Sequence, residues 1–305
     1  MFERLKKTNR LTVVLIVAIL TLLIGGFFLF QKFIASKNVI PLQEVDLPFD
    51  PEGPYALLVP RRDGHALILN ITRVSSYDGI SYELAYQSKV SDIKNFNAKN
   101  SSVGEDTGSG GINRGVQGSL DTKNKKNEYQ QEILFGTCSQ GYSSGGSHCV
   151  FDNGVENGTL TLKIQKGTIL YKSIIAWHLQ APDVALGVIT SGDNHFTYKT
   201  TVLRQDLANI GWSIVNDLSG VPKLPEGKTV LGKVYAFNVP TAKSVPKGDV
   251  TIELGDNPSK DAQIARYNDS KNSWEMLDTK IDGNKLTASA DSNGIFAVLI
   301  NSSKK

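Results

Sequence analysis

A twenty-residue stretch without a single charge, Leu11–Phe30, constrains this chain more than any other feature of its sequence. A helix of that length is about 30 Å long, which matches the hydrocarbon core of a bilayer. Residues 1–10 carry four cations and one anion, whereas only Lys32 and Lys37 follow closely. The positive-inside rule therefore predicts a cytoplasmic tail at 1–10, a transmembrane helix at 11–30 and an extracytoplasmic remainder.

A cleaved signal peptide is the alternative interpretation of this segment, because signal peptides also begin with cations followed by an apolar stretch. Their apolar regions run for about 7–15 residues and end at small residues in an A-x-A arrangement. Here the stretch is longer, and Phe33-Ile34-Ala35 places a small residue at only one of the two required positions. The sequence favours an uncleaved anchor, which would attach the protein to the membrane through residues 11–30.

The charge balance excludes one class of partner for the exported part. The formal net charge of the chain is +3, and residues 1–10 alone contribute four positive charges and one negative. The ectodomain is therefore close to neutral and offers no general basic face for a nucleic acid. Its two cysteines, Cys138 and Cys149, form an even pair outside the cytoplasm, and this predicts a disulfide.

Apolar residues recur at every second position beyond a predicted stalk at residues 31–52, as Leu67, Leu69 and Ile71 illustrate. This period is typical of half-buried strands. In the C-terminal hundred residues, turns of the Asp-Gly and Asn-Gly type separate about seven predicted strands. The last of them is apolar on both faces and should be central. The predicted positions are 212–216, 230–238, 249–254, 261–267, 274–278, 285–290 and 295–300.

Seven short strands in such a length are typical of an immunoglobulin-like sandwich. We therefore expect an all-β ectodomain of two β-sandwich (Ig-like) domains, which follow a single N-terminal transmembrane helix. The first is a β-rich domain at 53–205 that contains the Cys138–Cys149 hairpin, and the second is an Ig-like domain at 206–305.

The first predicted domain is interrupted at residues 88–111, which lack an apolar pattern and are expected to form a long loop. The chain then continues through Arg114 to a basic cluster of Lys123, Lys125 and Lys126. We hypothesise that the loop and the Lys123–Lys126 cluster lie at one end of the domain, and that these lysines and Arg114 contact a partner. The alternatives are a passive insertion, tolerated because closure entropy grows slowly with loop length, and a solvated basic loop.

One motif match suggests hydrolase chemistry, but its setting argues against it. Gly141–Gly145 fits G-x-S-x-G around Ser143, and Asp183 and His195 follow in the chain order of an α/β-hydrolase. A nucleophile elbow requires a strand before the serine and a helix after it. Here the match lies in a Gly/Ser-rich stretch between the two cysteines, which predicts a hairpin tip.

The remaining candidates for functional residues are the histidines and the tryptophans. None of the four histidines has a partner at metal-ligand spacing, and Asp193 with His195 is the least empty candidate for a metal or an acid–base pair. The three tryptophans should fill a sandwich core, although they could form a sugar-stacking face if exposed. We predict no catalytic, cofactor-binding or metal-binding residue. The histidines are His65, His148, His178 and His195, and the tryptophans are Trp177, Trp212 and Trp274.

Several stretches carry a resemblance to known proteins. Glu132–Cys138, Val150–Val155 and Gly158–Leu162 resemble segments of uncharacterised single-pass, membrane-anchored bacterial surface proteins, which have a comparable two-cysteine β domain. Trp274–Leu277 and Gly294–Val298 are similar to C-terminal Ig-like modules of bacterial cell-surface proteins. The resemblance implies a fold and a location and no activity.

The expected function is non-enzymatic binding, adhesion or envelope scaffolding at the cell surface. The expected partner is a cell-envelope polymer or a surface protein, with no cofactor. An envelope hydrolase of glycans or peptides is the first alternative, and an accessory subunit of a membrane complex is the second. A pocket lined by paired carboxylates would favour the enzyme, and an exposed aromatic patch would favour the binder.

Overall fold

The computed structural model describes residues 18–27, 42–89, 111–140, 147–180, 187–200, 212–240 and 245–302. The chain forms two compact units, Met1–Leu42 and Gln43–Lys305. In the first unit residues 18–27 are helical, and the rest of the predicted tail and transmembrane segment lies outside the described residues. Within the described residues, no helix is long and apolar enough to cross a membrane. The transmembrane span at 11–30 stays a prediction.

The second unit is built almost entirely of strands, which confirms the all-β prediction. Twenty strands are found in its described residues. They are β1 (Gln43–Asp46), β2 (Tyr55–Pro60), β3 (Ala66–Thr72), β4 (Gly79–Ser88), β5 (Ile112–Leu120), β6 (Glu128–Leu134), β7 (Gly136–Gln140), β8 (Ser147–Phe151), β9 (Asn157–Lys166), β10 (Ile169–Gln180), β11 (Val188–Thr190), β12 (Phe196–Thr200), β13 (Trp212–Val215), β14 (Lys228–Asn238), β15 (Gly248–Glu253), β16 (Gln263–Asn268), β17 (Ser273–Met276), β18 (Thr279–Asp282), β19 (Lys285–Ala290) and β20 (Gly294–Asn301).

These strands form one long sheet and three smaller ones. The long sheet has the order β17-β16-β20-β14-β13-β10-β9-β4-β5, and β1 joins it as a parallel neighbour of β10. A five-stranded sheet has the order β11-β12-β15-β19-β18, a three-stranded sheet the order β2-β3-β6, and β7 pairs with β8. The other described pairs are antiparallel.

The long sheet buries a hydrophobic cluster on each of its faces where β14 and β20 run. On β14, Val234 and Ala236 belong to one cluster, whereas Tyr235 and Phe237 belong to the other. Side chains of a strand alternate between faces, so this division places a core on both sides. The first cluster also contains buried residues of β2, β3, β4, β9 and β10, and the second contains those of β12, β15 and β19. The sheet is therefore the middle layer of three at this end.

The seven strands predicted for the C-terminal hundred residues are all present, within about two residues at each end. Strand β20 is buried from Gly294 to Leu299 and lies between β14 and β16, so its central position is confirmed. One further strand, β18, was not predicted. It carries a single large apolar residue, Ile281, which is exposed. Its sequence therefore shows no alternation of apolar and polar residues from which a strand could be predicted.

The strand pairing crosses the predicted boundary between residues 205 and 206. Strand β12 pairs with β15, and β10 pairs with β13. The boundary itself lies in 201–211, outside the described residues, and stays a prediction. At the other end, residues 43–46 of the predicted stalk form β1 and pair with β10.

The cysteine prediction is confirmed by the β7–β8 hairpin. Cys138 and Cys149 are directly opposite residues of the two strands, with 4.0 Å between their Cα atoms, and they form a disulfide. Residues 141–146, which contain the G-x-S-x-G match, lie outside the described residues.

Candidate functional site

The structure separates the basic residues that the sequence groups together. Arg114 lies near the start of β5, whereas the basic turn, Lys123–Lys126, follows the end of that strand. Nine residues of strand span about 30 Å, and the chain of the predicted loop enters β5 at its first residue. Arg114 and the basic turn therefore lie towards opposite ends of β5, and the hypothesis that the loop and the basic turn share one end stays a prediction. Residues 90–110 lie outside the described residues.

Arg114 lines a groove of about 630 Å³ beside the ends of β4, β5 and β9, which we call the loop-base groove. Its charges are paired with each other. Arg114 Nε lies 3.4 Å from Asp152 Oδ1, and Lys89 Nζ lies 3.1 Å from Glu156 Oε1. The Tyr86 hydroxyl donates a hydrogen bond to Asp152 Oδ2 at 2.8 Å. Burial is the larger cause of a raised pKa for Tyr86, and the hydrogen bond to this carboxylate is the second. Each charged side chain that lines this groove is therefore already in an ion pair.

A second groove, of about 690 Å³, has a different character. It lies between the three-stranded sheet β2-β3-β6, the β16–β17 hairpin and residues 222–225, and we call it the aromatic groove. Three aromatic rings, four apolar residues and a rim of polar side chains line it. The aromatic residues are Tyr55, Tyr267 and Trp274; the apolar ones are Leu57, Pro222, Leu224 and Pro225; the polar ones are Asn70, Thr72, Arg73, Asn127, Glu128, Lys223, Asp269, Asn272 and Ser273.

The β16–β17 hairpin presents two of the rings. Tyr267 and Trp274 are directly opposite across the two strands, and their ring centroids lie 5.5 Å apart in an edge-on arrangement. Both pack on the first hydrophobic cluster and remain half-buried, as does Tyr55 on β2. Trp274 Nε1 donates to the carbonyl of Pro222 at 3.3 Å, and the Tyr267 hydroxyl donates to Asn272 Oδ1. The rings are thus held in place with part of each still exposed.

The other two tryptophans do not contribute to this surface. Trp177 is 2% exposed and belongs to the first hydrophobic cluster. Trp212 is 0% exposed and belongs to the second. The expectation that tryptophans fill the core holds for these two. Trp274 instead lies in the aromatic groove, as a sugar-stacking residue would.

Arg73 holds a cation over one side of the aromatic groove. Its backbone has a positive φ of 62° at the end of β3, a conformation that is rare for a residue with a long side chain. Its Nη1 donates to the carbonyl of Pro51 at 2.7 Å, and its guanidinium carbon lies 5.7 Å from the centroid of the Tyr55 ring. A fixed guanidinium on an aromatic face is a well-ordered donor for a ligand.

The charged residues of the aromatic groove balance each other in number without pairing. Two cations, Arg73 and Lys223, and two carboxylates, Glu128 and Asp269, line it. Within the part of the chain that the structure describes, the side chains of Lys223, Glu128 and Asp269 make no hydrogen bond or ion pair. Their bonding capacity is directed to solvent and is available to a ligand, in contrast to the paired charges of the loop-base groove.

The Asp193–His195 candidate is explained by local structure. Asp193 accepts hydrogen bonds from Ser191 Oγ at 2.5 Å and from Lys233 Nζ at 3.1 Å. Burial alone would raise the pKa of Asp193, but these hydrogen bonds outweigh burial and lower it. His195 Nδ1 lies 2.7 Å from the carbonyl oxygen of Asp193. The carboxylate therefore ties a turn to β14.

The remaining histidines lie apart from one another. The His65 ring stacks on Phe151 with 4.3 Å between ring centroids, and His178 Nδ1 lies 2.7 Å from Asn157 Oδ1. The side chain of His148 and all of Asp183 lie outside the described residues. Among the residues that are described, no group of three or more His, Cys, Asp or Glu side chains could hold a metal ion.

No protein-family model matches the chain, and comparison with curated proteins and with solved structures finds no match.

Sequence reasoning missed most of the aromatic groove. Tyr55 and Arg73 are far in the chain from Tyr267 and Trp274, and nothing in the sequence joins them. One partial signal was present: strands predicted at 261–267 and 274–278 around a polar turn place Tyr267 and Trp274 opposite each other. That hairpin alone could have suggested an aromatic pair on one face.

Proposed function

We propose that this protein is a non-enzymatic cell-surface module that binds its partner in the aromatic groove. The observation that carries the proposal is the combination of three half-buried rings with three charged side chains, Lys223, Glu128 and Asp269, that make no hydrogen bond or ion pair in the described structure. Binding sites are concave, mainly apolar surfaces with a few polar groups that fix orientation. The loop-base groove lacks exposed rings, and its charges are already paired.

Membrane anchoring through residues 11–30 and an extracytoplasmic location are part of this proposal. They are supported by the uncharged stretch, the cation bias before it and the disulfide, which forms in oxidising compartments. The Ig-like character of the C-terminal strands is also part of it. The sheets β12-β15-β19-β18 and β13-β14-β20-β16-β17 enclose the second hydrophobic cluster, as the two sheets of a sandwich do.

An envelope hydrolase is the second candidate, because Glu128 and Asp269 both line the aromatic groove. Glycoside hydrolysis uses two carboxyl groups that flank the scissile bond. The full-length protein is incubated with envelope glycans, and Glu128→Gln and Asp269→Asn variants are compared with it. We expect no release of sugar by any of the three. Release by the natural sequence that both substitutions abolish would establish the enzyme and overturn the non-enzymatic proposal.

Binding is tested with the full-length protein in lipid nanodiscs and envelope fragments from the cells that produce it. Tyr267→Ala removes one wall of the aromatic groove. It should weaken capture of the envelope fragments about tenfold, because one aromatic contact and its apolar area are lost. Tyr77→Ala is the matched control. Tyr77 is also a half-buried tyrosine on the first hydrophobic cluster, but it contacts Tyr171 and Lys166 outside the groove. Equal capture of both variants would overturn the proposed site.

A further inference from the structure

The chemistry of the aromatic groove narrows the class of partner, given the proposed function. We infer that the aromatic groove binds a neutral glycan chain, whose sugar rings lie on Tyr55, Tyr267 and Trp274 and whose hydroxyls bond to the polar rim. Three independent features of the groove support this: its half-exposed rings, its balanced charges and the direction of its aromatic donors.

The first feature is the match between the rings and a sugar. A pyranose carries C–H groups on its faces and hydroxyls around its edge, so it is apolar on its flat sides and polar at its rim. The groove has the same arrangement, with half-exposed rings of Tyr55, Tyr267 and Trp274 and polar side chains around them. Tyrosine and tryptophan supply rigid apolar faces of this kind at low entropic cost.

The second feature is the charge of the rim. Arg73 and Lys223 would attract an anionic polymer, but Glu128 and Asp269 in the same groove would oppose it. The reverse holds for a polycation. A hydroxyl both donates and accepts, so a neutral polyhydroxyl ligand can bond to the carboxylates as donor and to the cations as acceptor. Carboxylates and a guanidinium also form the stronger, charge-assisted type of hydrogen bond.

The third feature argues against a proline-rich peptide, the other common ligand of aromatic grooves. An extended peptide offers carbonyl oxygens, which need ring N–H and O–H donors from the groove. Here Trp274 Nε1 already donates to Pro222 O at 3.3 Å, and the Tyr267 hydroxyl already donates to Asn272. Among the unpaired rim groups, Glu128 and Asp269 only accept when ionised, whereas Lys223 only donates. A ligand that bonds to both kinds of group must bring donors as well as acceptors, and proline residues have no backbone N–H to donate.

The test uses isothermal titration of the full-length protein in nanodiscs. The probes are neutral hexasaccharides of glucose and of N-acetylglucosamine, an acidic hexasaccharide of a uronic acid, and a proline-rich peptide. We expect at least one neutral hexasaccharide to bind, with the acidic one and the peptide at least tenfold weaker. Tyr267→Ala and Asp269→Ala should each weaken the neutral sugar about tenfold. Tyr77→Ala should leave it unchanged.

The outcomes separate this inference from the proposed function. If envelope capture depends on Tyr267 but neither neutral sugar binds, or the acidic sugar or the peptide binds better, the glycan inference fails and the binding function stands. If neither envelope capture nor sugar binding responds to Tyr267→Ala, both fail. Sugar binding that is reduced equally by Tyr77→Ala would reflect a general loss of folding and would also overturn the assignment to the aromatic groove.

Discussion

Replacing Glu275 with glutamine should destabilise the β16–β17 hairpin in a way that depends on pH. Glu275 Oε2 lies 2.6 Å from Arg266 Nη2 on the opposite strand, and the Arg266 side chain is only 7% exposed. Lys271 Nζ and Asn268 Nδ2 also donate to the same carboxylate, at 2.8 Å and 3.0 Å. Removing the charge leaves a buried guanidinium without its counterion, which is a costly change.

The magnitude follows from the pKa of the carboxyl group. Hydrogen bonds from Arg266, then from Lys271, lower the pKa of Glu275 from 4.5 to about 2. Each pKa unit corresponds to about 1.4 kcal/mol, so the carboxylate stabilises the folded state by about 3 kcal/mol at pH 7. Because the folded-state pKa is the lower one, this contribution is complete above pH 4.5 and is lost as the pH falls towards 2. At pH 3 about 1.4 kcal/mol remains.

The assay is urea denaturation of the full-length protein in non-ionic detergent, followed by tryptophan fluorescence at pH 7 and pH 3. We expect Glu275→Gln to lower the free energy of unfolding by about 3 kcal/mol at pH 7 and by about 1.4 kcal/mol at pH 3. Glu253→Gln is the control, since Glu253 pairs across strands with Lys285 at 3.3 Å but is more exposed; it should cost less than about 1 kcal/mol. An equal loss at both pH values would refute the linkage argument.

Two further predictions concern the disulfide and the topology. Replacing Cys138 and Cys149 together by serine should lower the free energy of unfolding by about 3 kcal/mol, because the bond closes a loop with a sequence separation of 11; free thiols detected by intact mass in protein from its native envelope would contradict the pairing. In intact cells, a membrane-impermeant thiol reagent should label Gly255→Cys and spare Leu5→Cys, and labelling of the latter would reverse the predicted orientation.

Much of the strand pattern could be predicted from the sequence because it is a local property. Alternation of apolar and polar residues between turn signals located all seven predicted C-terminal strands. Strand β5 escaped this reasoning, since its sequence INRGVQGSL is polar and its residues are largely exposed. Such a strand forms through its complete nine-residue pairing with β4, and that pairing has no signature in β5 itself.

Partner choice between strands was not predictable for a related reason. A period of two shows that one face of a strand is buried, but it does not show which strand lies beside it. Strand β12 looks like the end of the first predicted domain, yet it pairs with β15 of the second. The apolar residues Phe196 and Tyr198 on β12 are completely buried, in the second hydrophobic cluster, so non-local packing decides where this strand belongs.

Closeness in the chain does not bring the basic residues together. Arg114 and Lys123 are nine positions apart, which in a loop would allow them to meet. A regular strand separates them instead, and each finds a different acidic environment: Arg114 lies beside Asp152, and the basic turn pairs with Asp78 through Lys125 Nζ at 2.7 Å. Whether these cations contact a partner stays a prediction.

The β16–β17 hairpin connects stability with the proposed binding site. Arg266 and Tyr267 are neighbours on β16, so their side chains point to opposite faces, and the same holds for Trp274 and Glu275 on β17. One face of the hairpin therefore carries the ion pair and the other carries the aromatic pair. A slip of one residue would exchange the faces and turn the rings out of the aromatic groove. The Arg266–Glu275 ion pair on one face and the Tyr267–Trp274 ring pair on the other both require this register. Arg266 and Glu275 do not line the aromatic groove, yet they help to determine its shape.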